Sequence, residues 1–166
     1  YRVPLTLGHE GAGVVKEVGN SVTHLKVGDR VVIHYIVSCG NCEPCLQGFD
    51  NRCRYRQSIG SHADGTFAEY ITVPASNALK IADHVPFEWG AITACAVSTA
   101  FHAVNISGLK VGDTVLVLEV GGIGPHAVMW AKFFGARKVV AVDLVDSKLE
   151  AAKVYGADFY VNPTKG

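Results

Sequence analysis

The sequence lacks any net charge: 15 Lys and Arg residues balance 15 Asp and Glu residues over 166 positions, and the pI is near 7.2. No basic field is available for a phosphate backbone or an anionic lipid, so neither nucleic acid nor a membrane is an expected partner. It also lacks an apolar run approaching the ~18 residues of a spanning helix. The opening Tyr1-Arg2-Val3-Pro4 has no basic segment followed by an apolar one, as a secretory leader requires. A cytoplasmic protein is therefore expected. The start carries no Met, and Asn162 to Gly166 follow a strand-like segment without completing an element, so the chain reads as an internal fragment.

Charged residues make up only 18% of the chain against 49% hydrophobic ones, a composition that excludes disorder and supplies one buried core and part of a second. Along residues 1 to 95, short runs recur between Gly, Asn, Asp and Pro: Val14-Val15, Arg30 to Ile33, and Phe67 to Val73. That rhythm predicts a mainly β domain, a barrel or a sandwich. Past residue 97 the rhythm changes. Thr114 to Leu118, Lys138 to Val142 and Asp158 to Val161 read as strands, alternating with helices over Gly124 to Phe134 and Asp146 to Tyr155. This βαβαβ order predicts a parallel sheet. The helical stretch Ser98 to Ile106 joins the halves, placing the boundary between residues 95 and 100. Lys-Val-Gly-Asp occurs twice, at 26–29 and 110–113, each time before a strand, and is expected to be one local turn used twice.

Cys39, Cys42, Cys45 and Cys53 follow the spacing Cys-x2-Cys-x2-Cys-x7-Cys in a loop rich in turn residues. Such spacing lets the backbone wrap one zinc ion, whereas disulfides between cysteines this close would be strained. Four thiolates fill the coordination sphere, so this zinc is expected to be structural. Gly8-His9-Glu10-Gly11 sets a histidine and a carboxylate between glycines, and Cys95 lies among Ile92, Ala94, Ala96 and Val97. Alone, His9 reads as a surface or core histidine and Cys95 as a small buried hydrophobe.

In the second half, the strand ending at Leu118 runs into Glu119-Val120-Gly121-Gly122-Ile123-Gly124 and then a helix. This is where a pyrophosphate approaches backbone N–H groups and a helix N-terminus. Asp143 follows Gly124 by 19 residues, where a carboxylate can accept both ribose hydroxyls. Leu144 comes next rather than Arg, which favours NAD over NADP. Glu119 replaces the first glycine of the fingerprint, and a carboxylate beside a pyrophosphate is expected to weaken NAD binding.

These motifs, together with Asp64-Gly65-Thr66-Phe67-Ala68-Glu69-Tyr70 and Ser98-Thr99-Ala100, occur in the order found in the zinc-dependent medium-chain alcohol dehydrogenases, which the chain resembles over essentially its whole length. The resemblance implies a partial, mainly β GroES-like catalytic domain over residues 1–97, followed by the first half of an α/β Rossmann NAD-binding domain over residues 98–166. It implies a catalytic zinc held by His9 and Cys95, with Glu10 as its acidic neighbour and a further cysteine ligand upstream of Pro4. Thr99 and Ile123 are implied on the nicotinamide side and Lys148 at the adenosine ribose, beside Gly121, Gly122, Gly124 and Asp143. Tyr35 matches a position that often lines the substrate pocket, although packing in the barrel explains it as well. The implied activity is reversible hydride transfer between an alcohol and NAD, giving an aldehyde or ketone, in a homodimer or homotetramer. A zinc-stabilised nucleotide-binding module without that activity is the alternative, and polyol, amino-acid-alcohol and aldehyde dehydrogenases are open within the family.

Overall fold

The computed structural model describes residues 3–165, in two compact units, one ending at Cys95 and the other beginning at Ala96. The first unit is mainly β. Strands β1 (Gly11–Val14), β2 (Arg30–Ile33) and β5 (Ala78–Lys80) form an antiparallel sheet in the order β1-β2-β5, and β3 (Ile36–Val37) pairs with β4 (Gln57–Ser58). Val31 and Ile33 of β2 are buried with Leu25, Ile59 and Ala78, so the β-branched residues of the central strand hold the core of this unit. A short helix α1 (Glu43–Leu46) lies in the cysteine loop, and α2 (Phe87–Ile92) packs on β1 and β2.

The expected strand at Phe67 to Val73 does not form. Gly65, Thr66 and Phe67 donate to the carbonyls of Thr6, Gly8 and Leu7 at 2.8, 2.9 and 3.0 Å, but no strand pairs with Ala68 to Val73 among the described residues. The segment instead borders an open groove that β1 also lines. Its β-branched composition cannot make a strand without a neighbour whose backbone groups complete the ladder.

In the second unit, β6 (Thr114–Leu118), β7 (Lys138–Val142) and β8 (Phe159–Val161) form a parallel sheet in that order, with α3 (Ser98–Ile106), α4 (Gly124–Phe133) and α5 (Asp146–Val154). Val128 and Ala131 of α4 and Leu149 and Ala152 of α5 are buried with Val139 and Ala141 of β7, forming the core. A π-helical segment over Thr93–Val97 carries the chain from α2 into α3.

Both Lys-Val-Gly-Asp segments fold identically. Lys26 N–H donates to the Asp29 carboxylate at 2.9 Å and Asp29 N–H to the Lys26 carbonyl at 3.1 Å; Lys110 and Asp113 repeat the pair at the same distances. Gly28 and Gly112 both sit at φ 92°, which glycine adopts without a Cβ clash. The repeat is one turn chemistry used before β2 and again before β6.

Candidate metal centres and nucleotide turn

The cysteine loop folds as a cage. Cys42 precedes α1, whose first turn holds Pro44, and Cys45 lies within the helix; Cys53 follows the short turn Asp50–Arg52. The Sγ atoms of Cys42 and Cys45 are 3.4 Å apart, those of Cys42 and Cys53 3.8 Å, and those of Cys39 and Cys45 4.0 Å. Sulfurs about 2.3 Å from a tetrahedral zinc lie about 3.8 Å from one another, so the quartet has the size of that site. All four cysteines are free thiols. Buried Cys53 also accepts backbone N–H groups from Cys39 and Tyr55, both at 3.3 Å, which orients its sulfur inward. The Arg54 and Cys45 backbone N–H groups lower the Cys42 thiol to about 6, while burial pushes Cys45 up to about 12. Cys42 is therefore the more acidic of the pair, and a metal that takes both sulfurs releases the protons they hold.

The second group joins residues distant in sequence. Ligand atoms of His9, Glu10 and Cys95 all lie within 4.8 Å of one another. Two devices place His9 and Glu10 at the entry to β1. Asp64 accepts the Thr6 N–H at 3.0 Å, and the backbone of residues 65–67 bonds to residues 6–8, so the Asp64-Gly65-Thr66-Phe67 motif is a clamp on the Gly-His-Glu loop. The Thr66 hydroxyl then donates to the Glu10 carbonyl at 3.2 Å. Cys95 arrives from the π-helical segment, a local widening of the helix that is frequent at functional sites.

Tyr35 belongs to this group. Its ring meets the His9 ring edge-on, with centroids 5.2 Å apart, and burial, then the nearby Cys95, push its hydroxyl above the ordinary tyrosine value. Asn77, which sequence reading missed, sets the strand beneath it. This buried amide donates to the carbonyls of His34 and Ile36, on either side of Tyr35, at 2.7 and 2.8 Å. No signal in the sequence distinguishes it from an ordinary turn asparagine, because its partners lie 43 and 41 residues away.

In the second unit, the turn from Glu119 to Ile123 leads from β6 into α4, with Gly124 and Pro125 in its first turn and Ile123 partly exposed. Asp143 lies just past β7 and is buried. Its Oδ2 accepts the Val120 N–H at 3.0 Å and its Oδ1 the Val145 N–H at 2.9 Å, while Lys148 Nζ stands 3.8 Å from Oδ2. The Val145 N–H and then the Val120 N–H hold its carboxyl below the usual carboxylate range, with Lys148 adding to them. Asp143 thus braces the glycine turn, a role beyond the ribose contact expected of it. Gly124 packs against the Glu119 carbonyl, where a Cβ would clash, whereas Gly121 and Gly122 face open space. Thr99 lies in the first turn of α3, which packs on α4.

Residues 1–83 match the alcohol dehydrogenase GroES-like domain and residues 122–166 the zinc-binding dehydrogenase family. An alcohol dehydrogenase of Geobacillus stearothermophilus is 48% identical over 163 residues, covering 98% of this chain and 48% of that protein. Among solved structures, galactitol-1-phosphate dehydrogenase of Escherichia coli aligns with a TM-score of 0.92 at 35% identity, covering all of this chain and 48% of that one. An NAD-dependent alcohol dehydrogenase aligns with a TM-score of 0.90 at 41% identity, covering 98% of this chain and 48% of that one. The chain spans about half the length of the relatives it matches. With both halves matched in order, the mainly β unit is a GroES-like domain, the βαβαβ unit is the start of a nucleotide-binding domain, and the chain belongs to the zinc-dependent medium-chain alcohol dehydrogenase family.

Proposed function

We propose that the whole protein transfers a hydride between an alcohol and NAD, reversibly, with residues 1–97 forming its zinc-binding catalytic domain and residues 98–166 the start of its NAD domain. The observation that carries this reading is the convergence of His9, Glu10 and Cys95, 86 residues apart at the extremes, within 4.8 Å. An imidazole and a thiolate are the donors of a zinc that keeps positions open to substrate, unlike the closed cysteine quartet. Such a zinc supplies Lewis acidity, which favours loss of the alcohol proton and polarises a carbonyl.

The chain's own residues do the positioning. His9 and Cys95 hold the metal, Glu10 adds a neighbouring negative charge, and the Tyr35 ring against His9 limits rotation of the imidazole. Cys39, Cys42, Cys45 and Cys53 hold the second, structural zinc. Open space at Gly121 and Gly122 lets a pyrophosphate approach the backbone of the turn. The Asp143 carboxylate retains lone pairs for the ribose hydroxyls after accepting two backbone N–H groups. Lys148, Thr99 and Ile123 complete the NAD contacts in this reading. The family supports a homodimer or homotetramer, and the free thiols of Cys39, Cys42, Cys45 and Cys53 suit the reducing cytoplasm.

Metal analysis of the full-length protein tests the proposal. Two zinc atoms per chain, with alcohol-dependent NADH formation lost in His9→Ala and Cys95→Ala, are expected. One zinc per chain that survives both substitutions, with NADH bound but no alcohol oxidised, overturns it in favour of a nucleotide-binding module.

A further inference from the structure

Leu118 of β6 pairs with Val142 of β7, so Glu119 and Asp143 follow side by side at the carboxyl ends of neighbouring parallel strands. The Glu119 N–H donates to the Val142 carbonyl at 2.8 Å, and the next N–H, of Val120, reaches the Asp143 carboxylate. Ligands of open α/β sheets bind outside these strand ends. The two acids are held differently. Asp143 is buried, its oxygens tied to two backbone N–H groups with Lys148 beside them, whereas Glu119 is exposed and forms no ion pair among the described residues.

Glu119 is also the one non-glycine residue among those described whose backbone lies in the left-handed region, at φ 68°. Glycine takes that conformation freely, so the chain keeps a carboxylate here against its backbone preference. Strain of this kind clusters where a site needs it. We infer that Glu119 is a specificity-determining residue that, beside Asp143, makes the nucleotide turn reject a cofactor bearing a 2′-phosphate. Asp143 supplies the first barrier at the ribose, with Lys148 Nζ 3.8 Å from its carboxylate. The uncompensated charge of Glu119, one strand away, adds Coulomb repulsion that grows with the charge of the ligand. It acts more on the 2′-phosphate of NADP than on the pyrophosphate that both nucleotides carry.

This inference rests on the NAD reading above, and the test separates the two. Dissociation constants of NADH and NADPH are measured by fluorescence titration on the full-length protein, wild type and with Glu119→Gln, Glu119→Gly and Asp143→Asn. Glu119→Gln keeps the side-chain size and removes the charge. It is expected to reduce the preference for NADH over NADPH by about tenfold at low salt, and by less as salt screens the charge. Asp143→Asn, which removes the neighbouring charge, is expected to lower the preference as well. An unchanged ratio in Glu119→Gln, or a change confined to Glu119→Gly, overturns the inference while leaving the NAD reading intact. Wild-type protein that binds neither nucleotide overturns both.

Discussion

Replacing Asn77 should loosen the strand that carries Tyr35, and the cost follows from two hydrogen bonds. The side chain is 4% exposed, and its amide donates to the carbonyls of His34 and Ile36 at 2.7 and 2.8 Å. Its own carbonyl accepts the His34 N–H at 2.8 Å, which stays possible in any substitution. Asn77→Leu keeps the branched shape and removes both donors, leaving two part-buried acceptors unsatisfied at about 1–3 kcal/mol each before water reaches them. A net loss of about 2–4 kcal/mol is expected. Asn77→Ala should cost somewhat more, because the cavity adds to the polar loss. Urea unfolding of the full-length protein should show a lower midpoint at an unchanged slope. Amide exchange should accelerate around residues 34–37 and 57–59, where β3 pairs with β4. Because Tyr35 faces His9, kcat/KM for the proposed alcohol oxidation should fall as well. A change below about 0.5 kcal/mol in Asn77→Leu, the range of ordinary surface substitutions, would refute the assignment of Asn77 as the brace of this site.

Other consequences are equally direct. Cys53→Ser removes the sulfur that accepts two backbone N–H groups, and the full-length protein should lose one zinc per chain by atomic absorption while keeping a second that His9→Ala removes. The Lys132 ammonium, then the Val139 N–H, holds the Asp158 carboxyl below its usual range. Its folded value lies beneath its unfolded one, so its stabilisation is complete above about pH 4, the unfolded aspartate range, and disappears as pH falls through the depressed folded value. Acid titration of Asp158→Asn should therefore show a shallower loss of stability below pH 4 than the wild type. Glu119→Gly relieves a left-handed residue that costs about 1–2 kcal/mol, offset by about 0.5–1 kcal/mol of added chain entropy. A small rise in melting temperature is expected, and a fall would show that the Glu119 side chain makes a stabilising contact.

The features legible in the sequence are those whose cause is local. A Lys-Val-Gly-Asp turn closes on itself within four residues, and strands β6 and β7 lie where their apolar runs put them, because each run is bounded by turn residues, with Val139 and Ala141 of β7 in the core and Val115 and Val117 of β6 packed against it. Four cysteines within fifteen positions can scarcely do anything but converge. Where partners are far apart, the residues alone are silent. Phe67 to Val73 has the composition of a strand, yet among the described residues only its first residue finds a backbone partner, in Leu7 beside the Gly-His-Glu loop some sixty residues earlier. That same pairing explains why Asp64-Gly65-Thr66-Phe67 accompanies His9 and Glu10: the motif holds their loop in place. Asn77 and Tyr35 stand in the same relation, a buried amide fixing a strand so that one ring faces one imidazole. Asp143 shows how the two kinds of information meet. Its spacing from Gly124 suggests a ribose ligand, but the carboxylate also ties Val120 to Val145, so the residue proposed to read the cofactor shapes the turn proposed to receive it. Replacing it should therefore disturb the turn and the proposed ligand together, whereas replacing Glu119, exposed and hydrogen-bonded among the described residues only through its backbone, alters the charge of the site and leaves its scaffold standing.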